Sequence, residues 1–199
     1  MVEFLTHIFQ VFSKFFFLLA PFFVLAIFLS LTPDDTQLRR KLALRVAIAV
    51  LVACFCILFF GNTMFRVFGI TLDSFKIGAG ALLFLTSVDV VRGKPPASRD
   101  VGEQEVTIVP LAIPITVGPA TTGAIMILGA ESKANGGMTT GCIGLALAVV
   151  SLGIILYLGS EIKAVMKAQG ILVMSKIMGV VISALAAQMI FTGIKGVLQ

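Results

Sequence analysis

The chain has 199 residues, of which 58% are hydrophobic and 13% are charged, and its mean hydropathy is +1.08. A soluble domain carries roughly 45–50% apolar and about 25% charged residues, so this composition excludes a water-soluble globular protein and indicates an integral membrane protein. The net charge of +5 does not indicate nucleic-acid binding, because the basic residues lie in short segments between apolar runs, as the topology rule for membrane proteins predicts.

Six apolar runs, each about as long as a membrane-spanning helix, follow one another along the chain. The sequence predicts spans at about 8–31, 42–60, 74–91, 106–128, 141–159 and 171–194. It also predicts a turn over 62–73, with Asp73 as a helix cap, and a polar loop over 161–169. The interpretation is a single transmembrane domain, 1–199, consisting of a first repeat 1–92, a polar linker 93–105 and a second repeat 106–199.

The two halves of the chain resemble each other weakly. An offset of 98 pairs Pro21 with Pro119, and an offset of 101 pairs Gly78 with Gly179; chance similarity is the alternative. Because each half has an odd number of spans, repeated halves would cross the membrane in opposite directions, as in many secondary transporters. The predicted fold is an all-α membrane protein of six transmembrane helices in two inverted three-helix repeats. We expect Gly78, Gly80 and Gly179 to serve close helix packing.

Basic residues are concentrated in the segments after the first, third and fifth runs. They are Arg39, Arg40, Lys41, Arg45, Arg92, Lys94, Arg99, Lys163 and Lys167. The positive-inside rule places these segments in the cytoplasm. The sequence therefore predicts a multi-pass protein of the prokaryotic cytoplasmic (inner) membrane with both termini outside.

The fourth run contains three prolines within ten residues, Pro110, Pro114 and Pro119. Each proline removes a backbone donor, and open backbone inside a bilayer is tolerated only where protein or a water-filled cavity covers it. The sequence predicts a broken fourth helix, whose second half starts near Gly118–Pro119 and presents free N–H groups to a small anion such as a carboxylate. The alternative is a proline-kinked packing helix whose threonines bond their own helix. The predicted substrate-binding residues are Pro21, Gly118, Pro119, Ala120, Thr121, Thr122 and Gly123.

Few side chains inside the spans could carry acid–base or metal chemistry. Asp89 is the candidate for proton or cation coupling, and the alternative is a membrane-edge carboxylate that pairs with Arg92. Asn62 and Gln188 are uncharged polar candidates. One histidine, His7, and three cysteines without a CxxC pair cannot assemble a catalytic triad or a metal site. We therefore expect no enzyme activity, no catalytic residue, no metal and no cofactor.

Residues 109–119, with the sequence VPLAIPITVGP, resemble the PLA-x-P-xxx-GPG signature of the MarC family of membrane proteins. Segments 68–80 and 177–194 resemble further family motifs in the same order, and the resemblance covers nearly the whole chain. It implies discontinuous first and fourth helices and transport of small neutral amino acids. The chain departs from the family pattern N-P-x-G-x-x-P at Ala20, Phe23 and Ala26, and from the span-four pattern at Ala120.

Taken with the residues, the resemblance predicts a secondary transporter of glycine, alanine, serine and threonine that is coupled to a proton or sodium gradient. Its predicted partners are the amino acid, the coupling ion and membrane lipid, with no nucleic acid, and the oligomeric state is open. The alternatives are a passive channel or exporter of small solutes, and a non-transporting partner of other membrane proteins.

Overall fold

The structure, a computed structural model, describes residues 2–93, 117, 119–134 and 137–198. This part of the chain is all-helical and holds no β-strand. The helices are α1 (Val2–Leu18), α2 (Pro21–Leu31), α3 (Thr36–Phe68), α4 (Leu72–Arg92), α5 (Pro119–Ala134), α6 (Met138–Tyr157) and α7 (Gly159–Leu198). The predicted all-α class is confirmed.

Five helical stretches in the described part are long and apolar enough to cross a membrane. They are Phe4–Leu31, Thr36–Phe60, Leu72–Arg92, Met138–Tyr157 and Gly159–Leu198. These stretches match five of the six predicted spans. Most of the predicted fourth span, 106–128, and nearly all of the linker, 93–105, lie outside the described residues. The described part of the fourth span belongs to α5.

The helix ends follow local capping chemistry. The Asp35 side chain accepts hydrogen bonds from the N–H groups two and three residues further on, at 2.8 and 3.3 Å, and so starts α3. Helix α3 ends at Gly69, whose φ of 64° is left-handed. The cap of α4 is Thr71, which accepts from the Ser74 N–H at 3.2 Å. The prediction that Asp73 is this cap is wrong: Asp73 lies inside the first turn of α4.

Two segments that were predicted as non-helical are helical. Residues 62–68 continue α3 beyond its apolar run, and 161–169 belong to α7. The second segment has one break in helical geometry, at Lys167, where φ is 55° and ψ is 171°. Polar residues alone do not stop a helix when no glycine or proline interrupts the backbone.

Helices α4 and α7 pack antiparallel along most of their length. Gly80 meets Ile190 and Gly179 meets Val91, and an added Cβ would lie 2.7 and 2.6 Å from these side chains. These two glycines therefore serve close packing, as predicted. Gly78 does not, because it has nothing within 4 Å of its Cβ position.

If α1 and α2 are taken together as the first span and α5 as part of the fourth, the main contacts between the halves match when the halves are exchanged, whereas the contacts of α6 with α5 and α7 have no match of similar extent in the first half. Helix α1 packs on α6 in the second half, and α5 packs on α3 in the first. Likewise α2 packs on α7, and α5 packs on α4. Helix α3 packs on α6, and α4 on α7. Each half therefore contacts the other through equivalent elements.

Charged residues gather at the two ends of the helix bundle. At the first end, which we call the Asp34 end, the Asp34 carboxylate lies 2.6 Å from Arg39 and 3.1 Å from Lys163, and Arg40 pairs with Glu161 at 2.5 Å. The hydrogen bonds from Lys163 and then from Arg39 lower the pKa of Asp34 below its usual value. The contacts at this end join the segments that follow the first and fifth spans, as an alternating topology requires.

The second end, which we call the Lys76 end, lies at the opposite terminus of α7. There Lys76 of α4 pairs with Glu131 of α5 at 3.0 Å and with Asp73 at 3.4 Å. The C-terminal turns of α7 close against this group, since Gly196 lies beside the Asp73 carboxylate.

Candidate functional site

The first membrane span is broken near its middle. Helix α1 ends at Leu18, and α2 begins at Pro21. Between them Ala20 has φ 43° and ψ 58°, which is left-handed. Pro21 explains the position of the break, since proline disfavours helical geometry in the residue before it and suits the first position of a new helix. The discontinuous first helix that the family resemblance implies is present despite the substitutions at Ala20, Phe23 and Ala26.

The break opens backbone groups inside the bundle. The Phe23 and Val24 N–H groups both donate to the Ala20 carbonyl, at 2.9 and 3.0 Å, and Pro21 has no N–H. Within the described part of the chain, the Phe22 N–H has no backbone partner. Ala20 is only 5% exposed, so this donor at the positive end of α2 is shielded from lipid.

The second candidate element is the start of α5. The described helix begins at Pro119, the predicted start of the second half-helix. Gly118 and residues 106–116 lie outside the described residues, so whether a helix precedes this start stays a prediction. The side chains of Pro119 and Ala120 also lie outside the described residues, so their predicted contact with substrate stays a prediction. Val117, the described residue before the start, is buried.

Both threonines of the predicted site belong to the first turns of α5. Thr121 is buried and Thr122 is half-buried. Elsewhere in the bundle, serines and threonines such as Thr86 and Thr192 bond the carbonyl of their own helix four residues earlier, at 2.9 and 2.7 Å. Within the described residues, neither Thr121 nor Thr122 makes this bond. Their hydroxyls therefore remain available to a ligand.

Gly123 has a packing role. A Cβ added there would lie 2.6 Å from the Cβ of Ala79 and 3.5 Å from the Phe75 ring. The glycine therefore lets α5 approach α4 closely, and this contact fixes the position of the two threonines. The prediction of substrate contact at Gly123 stays a prediction.

The two elements share one buried region. Leu19, Ala20 and Val117 belong to a single continuous hydrophobic cluster that also contains Ala124 and Ile125 of α5. Besides Thr121, the buried polar and charged residues of the described part are Thr32, Arg39, Lys76, Ser87, Thr140 and Ser175. Among the described residues, the break thus shares a hydrophobic cluster with the first turns of α5.

The polar candidates outside α5 have different positions. Asp89 is half-buried near the end of α4, ten residues beyond Ala79, or about 15 Å along the helix. Within the described part it makes no ion pair with Arg92. Gln188 is exposed on α7, and the side chain of Asn62 lies outside the described residues.

Lys76, the buried cation of α4, is not among the residues that the sequence patterns indicated. Its Nζ lies between the carboxylates of Asp73 and Glu131. The sequence could have predicted the contact between Lys76 and Asp73, because residues three apart on a helix lie side by side. Glu131 could not be found in this way, because it lies 55 residues away in the other half.

Comparison with known proteins decides the family. The model of MarC family integral membrane proteins matches residues 5–198, nearly the whole chain. This chain belongs to the MarC family. The MarC assignment confirms the resemblance seen in the span-four motif and establishes an integral membrane protein.

Relatives of this MarC-family chain come from archaea and bacteria. A UPF0056 membrane protein of Methanocaldococcus jannaschii is 33% identical over 94% of this chain and 95% of its own length. One of Pyrococcus abyssi is 35% identical over 83% of this chain and 81% of its own. The UPF0056 membrane protein YhcE of Escherichia coli is 28% identical over 95% and 94%. No solved structure matches the chain.

Proposed function

We propose that this protein is a secondary transporter of small neutral amino acids, with glycine, alanine, serine and threonine as substrates, across the prokaryotic cytoplasmic membrane. The observation that carries the proposal is the buried break at Ala20 in the middle of the first span. Discontinuous helices at mid-membrane depth are where secondary transporters bind substrate and coupling ion.

The chemistry of the break suits a zwitterion. The N–H of Phe22 and the first turn of α5, with the Thr121 and Thr122 hydroxyls, offer donors to a carboxylate. The last carbonyls of α1 offer acceptors to an ammonium group. The uncharged cluster around them favours a substrate side chain without charge.

The symmetric packing of the helices supports two inverted repeats. The equivalent contacts between halves, together with three spans per half, suit a mechanism in which one half rocks against the other. In this proposal a proton or sodium gradient drives transport, with Asp89 as the candidate coupling carboxylate, and both termini face outward.

Uptake by purified protein in liposomes tests the proposal. We expect labelled glycine to enter under a proton or sodium gradient, and internal unlabelled glycine to accelerate entry by counterflow. The double variant Thr121→Val/Thr122→Val should lower uptake at least about a hundredfold, because each of the two hydrogen bonds to a charged group contributes roughly 1.5–3 kcal/mol. The matched control is Thr192→Val, whose exposed hydroxyl bonds its own helix at 2.7 Å.

Three outcomes contradict parts of this proposal. If none of the four amino acids is taken up under either gradient, the protein does not transport these substrates. Flux without saturation or counterflow indicates a passive channel instead. If uptake is normal in the double variant, the threonines are not the carboxylate site, although transport itself stands.

A further inference from the structure

The Lys76 end of the bundle holds a nearly buried cation. The Lys76 side chain is 11% exposed, and its Nζ lies 3.0 Å from Glu131 on α5 and 3.4 Å from Asp73 on its own helix. A buried ammonium is strongly destabilising unless carboxylates surround it. Here one carboxylate belongs to α4 itself, and the other belongs to a helix of the opposite half.

Helix α7 packs against the charged group of Lys76, Asp73 and Glu131 from a third side. An added Cβ at Gly193 would lie 3.0 Å from the Lys76 Cβ and 2.6 Å from the Asp73 carbonyl oxygen. At Gly196 it would overlap the Asp73 carboxylate. The two glycines thus let α7 lie directly against the charged group, and α4, α5 and α7 meet there.

The opposite end of the bundle carries a counterpart. Asp34, which follows the broken first span, pairs with Lys163 near the start of α7 at 3.1 Å. Glu131, in the last turn of α5, pairs with Lys76 near the start of α4. In each case an acid of one half pairs with a lysine of the other half, although Lys163 lies before the break at Lys167 and the offset of 101 pairs Lys76 with Ile177.

We propose that the Lys76–Glu131 ion pair is a latch that closes this end of the bundle over the broken helices, with Asp34–Lys163 as its counterpart at the other end. Both latches are closed in the structure, and Ala20 and Thr121 are correspondingly buried. The role in alternating access rests on the proposed transport function. The latch itself is a property of the helix contacts.

The arrangement makes the latch reversible. Opening this end by moving α5 away from α4 separates Lys76 from Glu131. Asp73 stays three residues away on the same helix, so the ammonium keeps one carboxylate and is never left unpaired in a dry environment. Glu131, whose side chain is 41% exposed, is solvated as it leaves.

A cysteine reporter tests the latch without any substrate. Thr121→Cys is placed in a background in which Cys54, Cys56 and Cys142 are replaced by alanine. A membrane-impermeant maleimide is then added to one face of sealed liposomes at a time, with the protein in a known orientation. Because the readout is a labelling rate, it remains valid even if the protein transports none of the four amino acids.

Removal of the pair should open one end only. We expect Lys76→Met and Glu131→Gln to raise the labelling rate from the Lys76 face about tenfold, as a minor open state becomes substantially populated. The rate from the Asp34 face should not rise. Lys76→Arg keeps the ion pair and should label as slowly as the parent. Lys195→Gln removes one exposed positive charge from the same end, outside the pair, and is the matched charge control.

Several results would overturn the latch. These are an unchanged rate in both pair variants, an equal rise from both faces, or an equal rise in Lys195→Gln. Size-exclusion chromatography in detergent checks that each variant is folded. If Lys76→Met is aggregated, the labelling rate of Glu131→Gln alone tests the latch, because this variant leaves Lys76 paired with Asp73.

Discussion

At the scale of single residues, Ala20 has the conformation that breaks the first span. Its left-handed backbone, with φ 43°, costs an L-residue about 1–2 kcal/mol. The conformation persists because Pro21 follows it and because the surrounding cluster buries the residue. A buried, strained backbone in the middle of a span costs a membrane protein free energy, which is why we place the function there.

Substitution of Ala20 should separate backbone strain from packing. Glycine removes the left-handed strain but loses a buried methyl group worth about 0.8 kcal/mol, so Ala20→Gly should change the free energy of unfolding by less than about 1 kcal/mol. Ala20→Val adds a β-branched side chain to a filled, left-handed site and should destabilise by about 2 kcal/mol or more. Thermal unfolding in detergent measures both. Equal stability of the two variants would show that Ala20 is not held in this conformation.

At the scale of helices, the contact between α4 and α5 depends on small side chains. Gly123 faces Ala79 so closely that a methyl group has no room. This contact sets where the first turns of α5, including Thr121, lie in the bundle. The Lys76–Glu131 pair holds the same two helices together two turns further along α5. Apolar packing and the ion pair therefore act on one interface.

A pair of glycine variants tests this interface. Gly123→Ala should destabilise the protein by about 1–3 kcal/mol, because the new Cβ would lie 2.6 Å from Ala79. Adding Ala79→Gly should restore most of the loss. Gly78→Ala is the matched control: it has open space around it and should stabilise α4 by up to about 1 kcal/mol. Melting temperatures in detergent give the comparison, and a neutral Gly123→Ala would contradict the close contact.

At the scale of the whole molecule, the ion pairs assign the connecting segments to two ends. The segments after the first and fifth spans meet through Arg40 and Glu161. The starts of α4 and α6 and the end of α7 lie at the other end, together with the N-terminal part of α1, where His7 lies 3.3 Å from Thr140. Both described termini therefore lie at the same end of the helix bundle.

Cysteine labelling in intact cells decides which side this is. Gln37 and Ile70 are exposed residues at opposite ends of α3. In a cysteine-free background, Ile70→Cys should react with an impermeant maleimide in intact cells, whereas Gln37→Cys should react only after permeabilisation, because the basic segment near Gln37 stays in the cytoplasm. The reverse pattern would invert the topology, and labelling of both in intact cells would contradict the span between them.

The helix ends show which features local sequence can predict. Pro21 and Pro119 predicted where α2 and α5 begin, since proline acts on its immediate neighbours. Asp35 and Gly69 likewise mark the ends of α3 through their own side chains and backbone. The extent of α3 beyond its apolar run, and the helix through 161–169, could not be read from hydropathy. Hydropathy reports where lipid ends, and a helix can continue past that point.

The sequence by itself indicated a membrane protein of the MarC family, the five spans that the described residues confirm, and the prolines at which α2 and α5 begin. These depend on composition, local stereochemistry and a short motif, and each acts over a few residues. Only the tertiary structure decided that Lys76 meets Glu131, that Asp34 meets Lys163 across 129 residues, and that Gly123 rather than Gly78 is a contact. Such pairings depend on how distant helices pack, and no local pattern in the chain records that packing.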